Sequence, residues 1–353
     1  MLARLEFAHL PTLLEPLERL SEVLDGPKLW VKRDDQTGLA FGGNKTRKLE
    51  FLLADAQAQG ARTLITRGAA QSNHCRQTAA AAARFGFDCT LVLTDAGISS
   101  KVAKHAEASP QLRTDKFESK DLSGNRLLDH LFGAKIVWAT ANDCESILTS
   151  TFNISRDKGE HPYLIPYGGS NELGASAYAY ALKEMLDQCS GLSQFSSPPS
   201  WIVFPSSSGG TQAGLVLGAE MFGYAGRILG ISVDENRNAL SKRVSDLATA
   251  AADLNGLSTK FESENILVND HYVGDGYGVI SMVEREAIYL FARMEGILLD
   301  PVYTGRAAAG MIDLIHKGFF KKEETILFWH TGGTPALFAD QYREFLTSYD
   351  SAK

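Results

Sequence analysis

The alternation of short apolar runs with helical stretches is the feature that most constrains how this chain can fold. Several runs are almost continuously apolar, which is typical of strands in a sheet that is covered on both faces. Strands that alternate with helices predict an α/β fold with two open, twisted, mainly parallel sheets flanked by helices. The predicted strands cover residues 29–34, 63–68, 89–94, 135–139, 163–168, 201–205, 228–234 and 326–331.

Four of these strands end in a small, polar, glycine-rich turn that opens a helix. In open parallel sheets, ligands bind beyond the carboxyl ends of the strands, where such turns gather. Each turn also presents backbone N–H groups at the positive end of a helix, which suits an anion. Glycines can simply permit tight connections, but four such turns favour a binding site. The turns are GAAQSNH (68–74), YGGSNELG (167–174), PSSSGGTQAG (205–214) and HTGGTPAL (330–337).

Composition and charge exclude several classes of protein. The chain has 353 residues, enough for two domains, and 44% of them are hydrophobic. Its net charge of -7 gives no reason to expect nucleic acid or an anionic membrane as a partner. No apolar run is long enough to span a bilayer, and the first residues do not resemble a signal peptide. The four cysteines lack CxxC spacing, so we expect a reduced, cytoplasmic protein.

The turn at 205–214 is the best candidate for a phosphate site. Ser208, Gly209, Gly210 and Thr211 offer hydroxyls and accessible amides at a helix start. The turn is not a Walker A loop, and no GxGxxG with an acid at Rossmann spacing is present. A cradle without magnesium-binding carboxylates fits a phosphate that is held and not transferred. The eight histidines are scattered and form no metal motif, so no metal site is predicted.

The segment FGGNKTRKLEFLL (41–53) predicts a helix with Asn44 as its N-cap. Its first turn carries Lys45, Arg47 and Lys48, although cations are disfavoured at the positive end of a helix. These could be solvated surface charges. A partly desolvated lysine beside other cations has a lowered pKa, and its neutral amine can form an imine. Together with the phosphate cradle, this favours Lys45 as a Schiff-base lysine and pyridoxal 5'-phosphate as the cofactor. Arg47 and Lys48 would then depress the pKa of Lys45 or attract anions.

Long motifs along nearly the whole chain resemble the D-cysteine desulfhydrase/1-aminocyclopropane-1-carboxylate deaminase family, including its L-cysteate sulfo-lyase branch. The resemblance implies a tryptophan-synthase-β-like enzyme of pyridoxal-phosphate fold type II. It also implies a large domain of residues 1–50 and 166–353, a small inserted α/β domain of residues 51–165, and a homodimer. The motifs are KRDDQTGLAFGGNKTRKLE, GAAQSNHCRQTAAAAA, SGNRLLDHLFGA, IPYGGSNELGA, GGTQAGL, GYG, EGILLDPVYTGRAAAGMID and HTGGTPALF.

The resemblance also implies roles for individual residues. Lys45 would bind the cofactor as an imine, Asn73 would hold the phenolic oxygen of its ring, and Ser208 to Thr211 would hold its phosphate. Ser72 would contact the substrate carboxylate or relay a proton. The residues expected to catalyse the reaction are Lys45, Ser72, Tyr277 and Tyr303, and those expected to contact the substrate are Ser72, Asn73, His74, Tyr277 and Tyr303.

Thr304 and Thr331 occupy two positions that divide the family. Cyclopropane deaminases typically have Glu and Leu there, whereas threonines match the desulfhydrase and sulfo-lyase side. A threonine hydroxyl can bond the pyridine nitrogen without adding charge. That is sufficient for β-elimination, because the sulfur group departs with the electrons. The alternative is that both threonines only fill space.

These observations predict a carbon–sulfur lyase that converts a small amino acid by α,β-elimination. D-Cysteine, releasing sulfide, is the first candidate substrate, and L-cysteate, releasing sulfite, is the second. A cyclopropane deaminase is disfavoured by the two threonines. A non-catalytic pyridoxal phosphate binder is disfavoured because Lys45, Ser72, Tyr277 and Tyr303 are all present.

Two features depart from the usual family pattern. A long polar stretch over residues 95–122 precedes the GNRLL motif, and it is predicted to be a surface excursion. Arg67 lies just before the turn at 68–74, which carries Ser72, Asn73 and His74; an uncharged residue is common at this position. Arg67 could recognise a sulfonate or form an ordinary ion pair.

Overall fold

The structure, a computed structural model, describes residues 2–94 and 122–348. The predicted excursion over residues 95–122 therefore lies almost entirely outside the described residues. The described strands are β1 Leu14–Pro16, β2 Lys28–Arg33, β3 Thr63–Ala69, β4 Asp88–Thr94, β5 Lys135–Ala139, β6 Pro162–Leu164, β7 Trp201–Ser206, β8 Arg227–Ser232, β9 Leu267–Asn269 and β10 Thr325–His330.

The described α-helices connect and cover these strands. None of them is both long and apolar enough to cross a membrane. They are α1 Glu18–Leu24, α2 Asn44–Ala58, α3 Asn73–Phe85, α4 Gly124–Leu131, α5 Cys144–Asp157, α6 Glu172–Gly191, α7 Gly210–Phe222, α8 Arg237–Leu254, α9 Met282–Glu295, α10 Thr304–His316 and α11 Asp340–Thr347.

The strands form two sheets. The larger has the order β1-β2-β10-β7-β8-β9, and the smaller has the order β5-β4-β3-β6. Every pair of neighbouring strands is parallel except β1 with β2. The central strands are buried along almost their whole length, as both β7 and β10 show. The prediction of open, mainly parallel sheets is confirmed.

The small sheet takes all its strands from residues 63–164, whereas the large sheet takes strands from both sides of that stretch. The predicted division into an inserted small domain and a flanking large domain remains a prediction. Its first boundary, at residue 51, falls inside α2, which is one continuous helix.

Strand limits differ from the sequence prediction where local chemistry intervenes. The strand predicted over 163–168 ends at Leu164, because Pro166 follows and has no N–H to donate to a ladder. Residues Tyr167–Gly169 form a 3₁₀ turn instead. The two short edge strands β1 and β9 were not predicted, since three residues carry too little periodicity.

A buried ion cluster around Asp34 ties the elements of the large sheet together. The Asp34 carboxylate is fully buried at the end of β2 and receives five hydrogen bonds. Two of them come from Arg47 on α2, at 2.8 and 3.0 Å. The other donors are the Thr12 hydroxyl, the Tyr178 hydroxyl and the Trp329 indole, at 2.9, 2.6 and 2.8 Å.

The same cluster accounts for one of the three cations at the start of α2. Arg47 also forms two 2.9 Å hydrogen bonds with Glu184 on α6. Lys32 on β2 is the second cation bonded to Glu184. Arg47 is therefore neutralised inside the protein by two carboxylates. It is neither a solvated surface charge nor free to attract an anion.

Replacing Asp34 by Ala is expected to destabilise the fold strongly. The change leaves Arg47 buried with a partner missing, which typically costs about 3 to 5 kcal/mol. Asp187→Ala is the matched control, because Asp187 forms an exposed i,i+4 pair with Lys183 on α6. Such a pair contributes about 0 to 1 kcal/mol. Urea unfolding of both variants measures the difference, and equal free energies of unfolding would contradict this role.

The cluster also sets a pH dependence. Arg47 is the main favourable influence that offsets burial and lowers the pKa of Asp34 to about 2. Because this pKa lies below its unfolded value, ionised Asp34 stabilises the fold above about pH 4, by about 2 kcal/mol. That contribution is lost as the pH falls through 2. Acid unfolding of the Asp34→Ala variant should therefore be less steep in this window than that of the unmodified protein.

Candidate active site

A cavity lies at the carboxyl ends of the strands. All four glycine-rich turns line it, together with the start of α2 and the residue before α10. The lining residues are Asn44, Lys45, Ser72, Asn73, His74, Tyr167, Gly168, Pro205, Ser206, Ser207, Ser208, Gly209, Thr211, Tyr303 and Thr331. The turns therefore meet at one site, as the sequence pattern indicates.

Helix α2 places Lys45 in this cavity, but it begins differently from the prediction. Asn44 is the first helical residue, Gly43 is the N-cap, and no side chain caps the helix. A Cβ on Gly43 would lie 2.4 Å from Nε2 of Gln77, so this position has no room for a capping side chain. The Asn44 amide instead donates to Oγ1 of Thr211, at 3.1 Å. The predicted N-cap role of Asn44 is therefore wrong, and its side chain links α2 to the phosphate turn.

Burial lowers the pKa of Lys45 to about 8. The sequence predicted this lowering from partial desolvation together with the charges of Arg47 and Lys48. Since Arg47 is paired with Asp34 and Glu184, it is desolvation that makes the neutral amine accessible near physiological pH. The prediction of a lowered pKa is confirmed with desolvation as its cause, and the expected contribution of Arg47 is corrected.

Lys48 lies directly behind the predicted phosphate cradle and is fully buried. Its Nζ donates to the carbonyl of Gly168 and to Oγ of Ser170, both at 3.2 Å. Burial, and next the charge of Lys45, hold its pKa well below the ordinary value. Among the described residues it forms no ion pair. An anion in the cradle would therefore favour its charged form.

The cradle itself is a close packing of two turns. Oγ of Ser208 lies 2.8 Å from Oγ of Ser170, which also accepts the backbone N–H of Gly210 at 3.3 Å. Ser208, Gly209 and Thr211 line the cavity at the N-terminus of α7, while Gly210 lies just behind them. A Cβ on Gly168 would approach Oγ of Ser208 to 2.4 Å, so the two turns can pack this closely only because residue 168 is glycine.

Ser72, Asn73 and His74, at the N-terminus of α3, form another part of the cavity wall. Oγ of Ser72 accepts the N–H of Cys75 at 3.2 Å and caps the helix, a role that serine commonly has and that sequence reasoning overlooked. Cys75 itself is buried.

The tautomer of His74 follows from its neighbours. The Thr66 hydroxyl donates to the carbonyl of Ile165 at 2.8 Å, so the same hydroxyl must accept the Nε2–H of His74, 2.9 Å away. Burial, and then Lys45 and Lys48, keep the pKa of His74 well below its usual value, and the ring is neutral. Its Nδ1 is a buried acceptor with no hydrogen-bond partner among the described residues.

Tyr303 lines the cavity and Tyr277 lies behind it. Their hydroxyls are 2.7 Å apart, and their rings meet edge to face. Burial raises the pKa of both phenols well above the ordinary value, so both keep their protons. One hydroxyl donates to the other, and one proton of the pair is left for a further acceptor.

The two threonines are placed differently. Thr331 lines the cavity. Thr304 is fully buried, and its hydroxyl exchanges hydrogen bonds with Asp300, donating to Oδ1 and accepting the backbone N–H, both at 2.7 Å. Asp300 also accepts the backbone N–H groups of Val302, Tyr303 and Thr304. A role for Thr304 in contacting the cofactor remains a prediction.

Some lining residues were not singled out from the sequence, namely Tyr167, Gly168 and the serines at 206 and 207. All lie in turns whose composition did predict the site. The sequence left open whether Arg67 recognises a sulfonate or forms an ordinary ion pair. In the structure it forms an ion pair with Glu145, at 2.6 Å. Its guanidinium also lies 4.7 Å from the ring centroid of Tyr167, behind the cavity wall.

Comparison with known proteins fixes the family. Residues 5–332 match the family model described as "Pyridoxal-phosphate dependent enzyme". The chain belongs to this family. It binds pyridoxal phosphate and has the α/β architecture of fold type II.

Solved structures agree. A crystal structure described as an "ACC deaminase homologue" has 34% sequence identity and a TM-score of 0.82, covering 98% of this chain and 96% of that one. The processed form of threonine deaminase isoform 2 from Solanum lycopersicum has 16% identity and a TM-score of 0.61, covering 95% and 82%. A fungal L-serine ammonia-lyase from Rhizomucor miehei has 15% identity and a TM-score of 0.61, covering 96% and 98%. The last two likenesses show the fold alone.

The cavity fits the cofactor chemically. Lys45 offers an amine whose pKa is about 8, and the start of α7 offers the hydroxyls and amides that a phosphate requires. Lys45 would hold the aldehyde carbon, Ser208 to Thr211 the phosphate, and Asn73 the ring oxygen.

The rate at which cofactor-free protein captures pyridoxal phosphate should follow the ionisation of Lys45. With a pKa of about 8, the neutral fraction rises about tenfold between pH 7 and the plateau above pH 9. Stopped-flow absorbance at several pH values measures this rate. Lys45→Ala should show no absorbance change from capture, and a midpoint near 10.5 would contradict the lowered pKa.

Gly168→Ala should weaken cofactor binding about tenfold or more, because its Cβ would displace Ser208 from the cradle. Gly223→Ala is the matched control. Both glycines have positive φ, 67° and 70°, but residue 223 has open space where the Cβ would be. Both variants should lose about 1 kcal/mol of stability from the strained backbone. Only Gly168→Ala should raise the dissociation constant of pyridoxal phosphate, and an equal effect of both would contradict the cradle.

Proposed function

We propose that this protein is a carbon–sulfur lyase that converts D-cysteine to pyruvate, hydrogen sulfide and ammonia by α,β-elimination. The observation that carries the proposal is the chemistry of the cavity wall. Apart from Gly168, Pro205 and Gly209, the described lining residues carry hydroxyls, amides, an amine or a neutral imidazole, and none carries a carboxylate.

A wall without carboxylates suits elimination better than ring opening. Bound pyridoxal phosphate supplies an electron sink for the Cα carbanion. Opening of the cyclopropane ring requires longer stabilisation of the carbanion electrons by the cofactor ring. A carboxylate beside the pyridine nitrogen would provide it by keeping that nitrogen protonated. The hydroxyl of Thr331 can bond that nitrogen without adding charge. Elimination tolerates this, since the electron pair leaves with sulfur.

The charges around the cavity favour a thiol over a sulfonate as the leaving group. L-Cysteate would bring an additional permanent negative charge. Within the described lining, Lys45 is required to bind the cofactor and to accept the Cα proton, and His74 is neutral. Arg67 is held by Glu145 behind Tyr167. Lys48 lies behind the phosphate turn and outside the lining, so neither a described lining cation nor Arg67 is free to receive a sulfonate, and cysteine is preferred. The D configuration rests on the family resemblance.

The residues of the chain then have defined tasks. The first-turn amides of α3 and the Ser72 hydroxyl suit the α-carboxylate of the substrate. The Lys45 amine accepts the Cα proton, for which a pKa near the working pH is favourable. The pair of Tyr303 and Tyr277 holds a proton that Tyr303 can donate to the departing sulfur. Cysteine thus loses hydrogen sulfide to give 2-aminoacrylate, which water converts to pyruvate and ammonia.

Steady release of pyruvate from D-cysteine is the expected result with the cofactor-loaded enzyme. We expect kcat/KM for L-cysteate to be lower by at least about tenfold, because the sulfonate has no described cationic partner. Pyruvate release from each amino acid, and 2-oxobutanoate release from 1-aminocyclopropane-1-carboxylate, are measured by a coupled dehydrogenase assay.

Two variants serve as controls. Lys45→Ala should abolish turnover, whereas Lys317→Ala, in an exposed pair with Asp313, should leave it unchanged. Rapid opening of the cyclopropane ring would overturn the proposal in favour of a deaminase. A loaded protein that turns over none of these amino acids would favour a non-catalytic binder.

A further inference from the structure

Asn73 lies at the start of α3, and its side-chain amide can face the cavity with either its oxygen or its nitrogen. The two orientations have opposite chemistry, because Oδ1 only accepts hydrogen bonds and Nδ2 only donates them. The phenolic oxygen of bound pyridoxal phosphate, when ionised, requires a donor. The surroundings of Asn73 determine which atom is presented.

Arg76 is the first residue that fixes the orientation of the Asn73 amide, because a guanidinium group only donates hydrogen bonds. It is fully buried on α3, one turn after Asn73. Its NH2 group donates to the carbonyl of Gly42 at 2.8 Å, and its NH1 group faces Oδ1 of Asn125 at 3.1 Å. NH1 also faces Oδ1 of Asn73 at 3.4 Å. The oxygens of both asparagines are therefore directed towards Arg76.

Asn125, at the start of α4, is the second residue that fixes the Asn73 amide. It is fully buried, and its Nδ2 donates to the backbone carbonyl of Gln71 at 2.8 Å. A carbonyl can only accept, so this contact and the contact with Arg76 fix the Asn125 amide from both ends. The other Nδ2 hydrogen is directed to Oδ1 of Asn73, at 3.0 Å.

The backbone of Asn125 is held as well. Its N–H donates to Oε1 of Gln71 at 2.8 Å, and Nε2 of Gln71 donates to the carbonyl of Ser123 at 3.0 Å. A Cβ on Gly124 would lie 2.5 Å from Oε1 of Gln71, so the turn approaches this closely only because residue 124 is glycine. The start of α4 is thus a rigid support for the Asn73 side chain.

We infer that Arg76 and Asn125 are positioning residues that turn the Asn73 amide so that its Nδ2 group donates into the cofactor cavity. Neither residue lines the cavity. Both hold Oδ1 of Asn73 on the protein side, and the N–H₂ group is left for the phenolic oxygen. Through Gly42, Arg76 also connects this wall to the loop that leads into α2 and Lys45.

The inference rests on the cofactor of the family and not on the proposed substrate. Its test therefore measures cofactor binding without turnover. The probe is pyridoxal phosphate alone, and the readouts are its dissociation constant by absorbance titration and the absorbance spectrum of the loaded protein.

Asn73→Asp defines the effect of losing the donor. An aspartate there still accepts from Arg76 and Asn125, so the network is kept, but the cavity receives no N–H. We expect the dissociation constant to rise about tenfold, the usual effect of one charge-assisted hydrogen bond, and the spectrum to shift.

Asn125→Asp is the decisive variant. Its carboxylate accepts from Arg76 but can donate neither to Oδ1 of Asn73 nor to the carbonyl of Gln71. The 3.0 Å contact would then favour a rotated Asn73 that donates to residue 125 and turns its oxygen to the cavity. We expect Asn125→Asp to match the weakened affinity of Asn73→Asp within about twofold and to show the same direction of spectral shift.

Asn236→Asp is the matched control, the same amide-to-carboxylate change at the N-cap of α8. Asn236 accepts the N–H of Ala239 at 3.0 Å, which an aspartate does equally well. It should bind pyridoxal phosphate as the unmodified protein does. An Asn125→Asp protein with unchanged affinity and spectrum would overturn the inference. Should that variant not fold, Asn125→Ala leaves only the 3.4 Å contact with Arg76. A loss of about threefold is then expected, and no loss would overturn the inference equally.

Discussion

The buried pair of Asp34 and Arg47 is the constraint on which the rest of the site depends. One carboxylate with five donors joins the end of β2, the start of α2, α6 and β10. Removing two charges from water is unfavourable unless every hydrogen-bonding position is satisfied, and here the satisfaction requires those elements in one arrangement. Because Arg47 is two residues after Lys45 on α2, fixing the arginine also fixes the helical turn that carries the lysine.

The three cations at the start of α2 thus have three separate environments. Arg47 is neutralised by carboxylates in the core, Lys48 is desolvated behind the phosphate turn, and Lys45 faces the cavity. Their common position at the unfavourable end of a helix is explained by tertiary contacts. The desolvation that lowers the pKa of Lys45 comes from the way these turns enclose the cavity.

The sequence predicted the parts of the site that depend on local composition. Serine- and glycine-rich turns after buried strands predicted the cavity wall, and Lys45 was found because a cation there violates a local electrostatic rule. What escaped prediction depends on distant contacts. Arg47 and Glu184 are 137 residues apart, so the pairing has no local signal. The N-cap of α2 is Gly43, where the side chain of Gln77 on α3 and the backbone carbonyl of Thr331 after β10 leave no room for a capping side chain. A serine just before a helix is a local signal for an N-cap, but Ser72 was predicted from the sequence only to contact the substrate or relay a proton.

The contact between Gly43 and the turn after β10 also bears on how the protein is made. The N–H of Asn44 donates to the carbonyl of Thr331 at 2.9 Å, and a Cβ on Gly332 would lie 2.6 Å from Cα of Gly43. Strand β10 is inserted between β2 and β7, in the interior of its sheet. A nascent chain on the ribosome therefore lacks one wall of the cavity until β10 and the turn after it have been synthesised. The ability to capture the coenzyme consequently reports that translation has passed β10.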